Sequence, residues 1–487
     1  MNIILHPRAA PADRIRVWIG AFQATTEAQL TWFLDSVPVT PTVLRPLSSV
    51  RHNTMLPPGV NPSGVRRVFS GVYEFNGLQP DTLYTIAVHA GGSGASINVR
   101  TLPDRVPALL DGTFNVLLVS CFHRDEDPAG LAGSIVSQLP VTVKPHLSIL
   151  MGDQVYLDLP TLRNFPDDEV WLAQKFESDY AANWQGSPGY AQILATAPSV
   201  SVPDDHEYWN NYPHPSPMIG NSLTANGRNR WRRAALAMYE GFQLPYPAEL
   251  RQPFTLNVAP LSFFIPDMRS LRGEGRESTM HPDALQRMSD WVDEVIARRD
   301  YPVFVSGQSL YSEAVGGFAG AVADYELPNY ADYAPVMRQL ARLADAGLPA
   351  FCLTGDVHWG RVTQTRDVRT NRTAVFEIIS SPTSLVTTVG FDQVSAVGAW
   401  FSRLFGKPKA WPRHSDAAKP PDFLASDVLA ERFRCDMLHG QRGNHVALLQ
   451  FARNGTSMNF RVTYVPISRD STLGKPVVVG PFQLRQN

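Results

Sequence analysis

Two nearly continuous apolar runs in this chain stop at the same kind of turn. Leu147-Ser148-Ile149-Leu150-Met151 ends at Gly152-Asp153, with Tyr156 and Asp158 just beyond; Ala350-Phe351-Cys352-Leu353-Thr354 ends at Gly355-Asp356, with His358 just beyond. A strand that is apolar along its whole length must be covered on both faces, which selects a layered α/β architecture. A carboxylate placed just after such a strand sits at the carboxyl end of the sheet, where open α/β folds build their sites. Carboxylates gathered there repel one another unless a cation or a ring of donors offsets the charge. One such turn is weak evidence. Two point to a shared metal site.

The 487 residues leave room for two or more domains, at roughly 100–200 residues each. A hydrophobic fraction of 44% and a charged fraction of 18% are those of a globular protein with a sizeable core. Net charge is −2, so nothing in the global balance favours nucleic acid or an anionic membrane. No stretch approaches the roughly 18 apolar residues of a membrane-spanning helix. The start, Met1 to Arg8, lacks a charged region followed by a long apolar core, so no secretory signal is expected. Three cysteines (Cys121, Cys352, Cys435) are too few for a disulfide framework. The simplest expectation is a reduced, cytoplasmic protein, with its oligomeric state open.

Residues 14–103 read as short strands. Arg14–Ile19 and Ala28–Leu34 alternate polar and apolar residues, and Gly71–Phe75 and Leu83–Val88 flank a turn-rich stretch. Period-two alternation with turns between is the pattern of a small antiparallel sandwich. Gly77 to Tyr84 resembles the corner of fibronectin type III domains that a tyrosine anchors. Thr101–Pro107 reads as the linker, dividing the chain into a fibronectin III-like sandwich over 1–104 and a larger unit over 105–487. In the larger unit, apolar runs at Phe114–Val119, His146–Met151, Leu261–Ile265, Pro302–Val305 and Ala350–Thr354 alternate with helical patterns at Glu169–Asn183, Arg230–Phe242 and Pro282–Arg298. Strands alternating with helices predict α/β layering. Asn371–Ser380, Asn444–Arg453 and Met458–Val465 read as further strands, and about 386–434 as an irregular insertion packed near the site.

Five segments follow apolar runs and carry residues able to hold metal or phosphate. They are Ser120-Cys121-Phe122-His123; Gly152-Asp153-Gln154-Val155-Tyr156; Asp204-Asp205-His206-Glu207 with Asn210-Asn211; Asp267-Met268-Arg269-Ser270-Leu271-Arg272; and Gly355-Asp356-Val357-His358. Each alone has a plain structural explanation: a core cysteine, a helix cap, an ion pair, or a turn. Jointly, at the ends of strands in one unit, those explanations lose force. Carboxylates suit hard cations, while thiolate, phenolate and imidazole select a transition metal. A carboxylate shared by two cations can bridge them, and such a pair makes a nucleophile of water at neutral pH. An adjacent histidine can protonate a departing oxygen, and arginines can grip a phosphoryl group.

These motifs, in this order, resemble the alkaline phosphatase D (PhoD-like) branch of the calcineurin-like metallophosphoesterase superfamily. The resemblance implies a β-sandwich flanked by helices, preceded by a small β-domain, acting on phosphate mono- or diesters. It implies that Cys121, Asp153, Tyr156 and Asp356 hold ferric iron. It further implies that Asp153 bridges to calcium, or to another divalent ion such as Mn2+, Mg2+ or Zn2+, also held by Asp205, Asn211 or His358. His206 takes the place of the superfamily's catalytic histidine, and Arg269 and Arg272 are candidates for phosphate binding. Asp158 matches no ligand position, and His123 is expected to line the site. The expected partner is a small phosphate ester. Two other readings compete: a redox enzyme using the same metals, and a non-catalytic binding protein acting through its N-terminal sandwich.

Overall fold

The structure is a computed structural model and describes residues 1–160, 165–186, 188–244, 252–311, 326–384, 432–468 and 472–485. Most of the expected insertion over 386–434 lies outside the described residues; its last positions enter a strand, Phe433–Gln441.

Two sheets carry the molecule. The larger has ten strands in the order Val477–Arg485, Ser457–Pro466, His445–Asn454, Phe114–Val119, Leu147–Met151, Ser199–Val202, Asn2–Arg8, Arg14–Ala24, Arg67–Asn76 and Thr42–Ser49. The second runs Phe254–Val258, Leu261–Ile265, Tyr301–Gly307, Ala350–Thr354, Arg372–Ile379, Gly360–Asp367 and Phe433–Gln441. In both, the apolar runs are parallel neighbours, so their carboxyl ends share one edge.

Burial explains why those runs lack polar alternation. Val116, Leu118, Ile149 and Met151 meet Phe263, Val303, Phe351 and Leu353 between the sheets. The alternate residues Leu117, Val119 and Leu150 face helices Glu169–Gln185 and Ala225–Phe242. On the far side, Phe264, Phe304 and Cys352 face helices Pro282–Arg298 and Tyr333–Asp345. The result is a four-layer α/β/β/α stack. Each fully buried Leu, Val or Phe contributes about 1.5–3 kcal/mol. Phe351 spans the inter-sheet layer, with ring centroids 4.8 Å from Phe460, 5.1 Å from Phe451 and 6.2 Å from Phe376. Its removal would leave a cavity costing about 3–5 kcal/mol.

The N-terminal strands do not stand apart from this stack. Asn2–Arg8 joins the larger sheet through the parallel pair Arg8 and Ser199. A four-stranded sheet of Val37–Val39, Leu30–Leu34, Leu83–Ala90 and Ser93–Arg100 covers this end, closing a core of Val17, Ile19, Trp32, Ile86 and Val88. The Tyr84 hydroxyl accepts the Gln79 N–H at 3.0 Å, a corner contact of the expected kind. The stretch expected to be a linker is packed instead: Leu102 and Val106 are buried in the inter-sheet core, and the Val106 N–H reaches Ala259 O. Among the described residues, no helix is long and apolar enough to cross a membrane.

Candidate metal centre

The shared edge of the two sheets presents four loops to one another. They approach so closely that side chains are excluded at two points. A Cβ on Gly355 would lie 2.1 Å from Met151 O and 2.7 Å from Ser120 Cβ. Gly152, at φ +90°, would place one 2.5 Å from the Asp204 Cβ. Glycine therefore ends both apolar runs because only hydrogen fits where the loops meet, across the two sheets at Gly355 and within the larger sheet at Gly152.

Five residues of these loops are held in an uncommon conformation. Cys121 (φ 53°), Asp153 (56°), Asn211 (69°), Asp356 (59°) and His358 (53°) are all left-handed. Such residues cost of order 1 kcal/mol or more each, and they cluster where a site over-determines the backbone. These five are all ligand candidates from the sequence.

Potential ligand atoms of Cys121, Asp153 and His358 lie within 4.8 Å of one another, and so do those of Asp153, Asp205 and His206. Asp153 belongs to both groups and is fully buried. Cys121 Sγ is 3.5 Å from Asp153 Oδ2 and 3.1 Å from Ser381 Oγ. The Tyr156 ring lies between the imidazoles of His206 and His123, at 4.2 and 5.3 Å between centroids. Asp205 Oδ2 accepts the Asn211 N–H at 2.6 Å. Among the described residues, the buried Tyr156 Oη and Asn211 Oδ1 have no hydrogen-bond partner.

Electrostatics makes the same point. Burial, with Asp153 and Asp356 nearby, pushes the Cys121 thiol well above its ordinary pKa. Burial and the surrounding acids push Tyr156 up in the same way. Burial also raises Asp153 well above the carboxylate range, opposed by His206 and reinforced by Asp205 and Glu207. In the protein alone, burial and mutual repulsion disfavour ionising these groups together. A multivalent cation reverses that balance, because it favours every ionised oxygen and sulfur at once. The donor set and the two orphaned oxygens fit such a cation.

The surrounding framework is specific. Both Glu207 oxygens point back at the loops: Oε2 accepts the N–H groups of Asp153 (2.9 Å) and Asp204 (2.8 Å), and Oε1 accepts Gln154 N–H (2.6 Å) and Gln243 Nε2 (3.0 Å). Asp158, which matched no ligand position, bonds His206 Nδ1 at 2.8 Å and accepts the Asn210 N–H at 2.8 Å. Burial alone would lower the His206 pKa, but Asp158, Asp205 and Asp153 raise it well above its ordinary value. Ser381 Oγ accepts the His358 N–H at 2.9 Å while touching Cys121.

Both arginines, Arg269 and Arg272, are buried against the protein. Arg269 has no exposed surface; its guanidinium bonds Asp204 and, at 3.0 Å, Tyr212 O. Asp204 also accepts Gln308 Nε2 at 2.8 Å. Arg269 therefore neutralises a buried carboxylate beneath the Gly152 turn rather than facing an ester. The Asp267 carboxylate accepts the Arg269 and Ser270 N–H groups, forming a turn. Arg272 donates to Met268 O at 3.3 Å and lies 4.7 Å from the Tyr330 ring centroid. Asp356 is partly buried and acts on both Cys121 and Tyr156 through its charge. His358 is exposed.

No family model matches the chain, and no curated protein matches it. Similar solved structures include PhoD, at 12% identity and a TM-score of 0.63, covering 99% of this chain and 90% of that one. They also include the purple acid phosphatase PPD1 isolated from yellow lupin (Lupinus luteus) seeds, at 11% identity and a TM-score of 0.56, covering 98% of this chain and 74% of that one. Identity that low speaks for fold and leaves chemistry to be argued from the site. The chain therefore shares the fold of PhoD and of that purple acid phosphatase: a mixed α/β stack with β-strands at its N-terminal end.

Proposed function

We propose that this protein is a metal-dependent hydrolase of phosphate mono- or diesters, with residues 1–104 as its β module and 105–487 as its catalytic unit. The observation that carries the proposal is Asp153, a buried carboxylate common to two groups of potential ligands. In this reading Cys121, Asp153, Tyr156 and Asp356 hold one ion, for which thiolate and phenolate select iron. Asp153, Asp205, Asn211 and His358 hold a second, calcium or another divalent ion. When bound, such ions supply Lewis acidity and screen the phosphoryl charge.

The chain's own residues do the rest. His206, held by Asp158 through Nδ1, is biased toward its protonated form by the carboxylates around it, against the effect of burial. It delivers that proton from Nε2 to the departing oxygen, as a positioned general acid. Tyr156, packed against the imidazoles of His206 and His123, closes one wall of the site. The Glu207 clamp fixes the carboxylates before substrate arrives, so little reorganisation is left for the reaction itself.

The test is elemental analysis of freshly purified protein alongside turnover of p-nitrophenyl phosphate and bis-p-nitrophenyl phosphate. Stoichiometric metal and cleavage of at least one ester are expected. Protein without metal, inert toward both esters under iron and calcium supplementation, overturns the proposal.

A further inference from the structure

The last turn of helix Ala225–Phe242 is gripped by side chains from the N-terminal strands. Arg45 donates to Glu240 O and, at 2.8 Å, to Gly241 O. Trp18 Nε1 donates to Gly241 O at 2.8 Å, and Arg8 donates to Phe242 O. Packing locks the same turn: Trp18 and Phe242 ring centroids are 5.7 Å apart, and a Cβ on Gly241 would lie 2.7 Å from Val50 Cγ1. A helix normally ends with its last carbonyls in water or bonded to a local cap. Here two guanidinium groups meet the negative end of the helix dipole, the charge arrangement that end favours. Burial lowers both arginines to about 10, so they remain charged at neutral pH.

The next residue is Gln243. Its N–H closes the helix on Tyr239 O at 2.8 Å. Its amide reaches Gln154 Oε1 at 2.9 Å and Glu207 Oε1 at 3.0 Å. Glu207 in turn takes the N–H groups of Asp153, Gln154 and Asp204. A continuous chain of short contacts thus joins the N-terminal strands to both carboxylate loops.

We propose that Arg8, Trp18 and Arg45 are positioning residues of the metal centre, holding Gln243 and, through it, the Glu207 clamp that sets the spacing of Asp153 and Asp205. The N-terminal β module is then a working part of the site and not an appended binding unit. This rests on the reading of the cluster as a metal centre. The physical ground is that partners of metal ligands control ligand orientation as strongly as the ligands themselves.

The test uses the full chain with Gln243→Leu, Trp18→Phe and, as a control, Val88→Ala, which loosens the same module away from the helix. Mn2+ affinity by calorimetry, the kcat and KM for bis-p-nitrophenyl phosphate, and amide exchange at Asp153, Gln154 and Asp204 are measured in each. Gln243→Leu is expected to weaken Mn2+ binding by about tenfold. Trp18→Phe, which keeps an aromatic ring and removes the donor, is expected to weaken it several-fold. In both, kcat falls with little change in KM, and exchange at the three amides accelerates; Val88→Ala does none of this at a comparable loss of Tm. Equal effects in Val88→Ala and Trp18→Phe, or unchanged exchange in Gln243→Leu, overturn the proposal. Should the parent protein bind no metal and cleave no ester, the reading of the site falls, and the exchange comparison still decides whether the brace exists.

Discussion

The two Gly-Asp turns look alike in sequence and in backbone, with Asp153 at φ 56° and Asp356 at φ 59°, yet they are supported differently. Asp153 is wholly buried, and the Glu207 carboxylate accepts its N–H. Asp356 is only partly buried and leads to the exposed His358, whose N–H is accepted by the Ser381 hydroxyl. Charge-assisted bonds to a buried carboxylate are roughly twice as strong as neutral ones. The first turn is therefore the fixed, buried jaw of the candidate site, and the second is the more open one. Identical local conformation can serve unequal roles when the surroundings differ.

Substitutions on the two jaws put that contrast to the test. The largest effect is expected for Asp153→Asn, which removes the group common to both ligand sets. Metal should be lost at both positions and activity should fall by more than the about 10–100-fold typical of an outer partner. Asp356→Asn should empty one position and leave the other able to bind. Metal stoichiometry of the two variants decides it, and equal losses would erase the distinction between the jaws.

Next in size is Asp158→Asn. Because Asp158 opposes the lowering effect of burial on His206, removing its charge must drop that pKa. A general acid with a lower pKa loses its proton earlier as pH rises. The basic limb of kcat should therefore move to lower pH, with a rate loss of about 10–100-fold at the old optimum. An unmoved limb would remove His206 from the proton-donor role.

The smallest effects concern stability. Glu207→Gln sets an amide NH2 against the N–H groups of Asp153 or Gln154, leaving buried donors opposed at about 1–3 kcal/mol each. Ser381→Ala on the open jaw deletes one acceptor, worth about 0.5–1.5 kcal/mol. Chemical denaturation of both should show the larger loss at Glu207; the reverse order would make the second turn the fixed one.

Much of the fold is legible in the chain's local patterns. Phe114–Val119, Leu261–Ile265, Ala350–Thr354 and Pro282–Arg298 have the same bounds in the sequence pattern and in the fold, because burial on two faces or a proline at the helix start writes itself locally. The Asn2–Arg8 strand has no such signal. Its His6 and Arg8 are buried and bond Trp184 O and Phe242 O, partners far away in the chain. Helix Tyr333–Asp345 does carry apolar Val336, Met337 and Leu340 on one face, with Asp332 before it and Pro335 in its first turn, so its pattern is present in the sequence.

Residue type and strand period were enough to dictate that apolar strands end in glycine and acid, and hence that thiol, phenol, imidazole and carboxylates gather at one edge. Which acid holds a ligand, a histidine or a loop was settled only by folding. Asp153 enters the cluster, Asp158 turns His206, Glu207 binds backbone, and Asp204 takes Arg269. These carboxylates are the same chemical group in the chain, and what separates their roles is the partner each meets after folding, which no local pattern encodes.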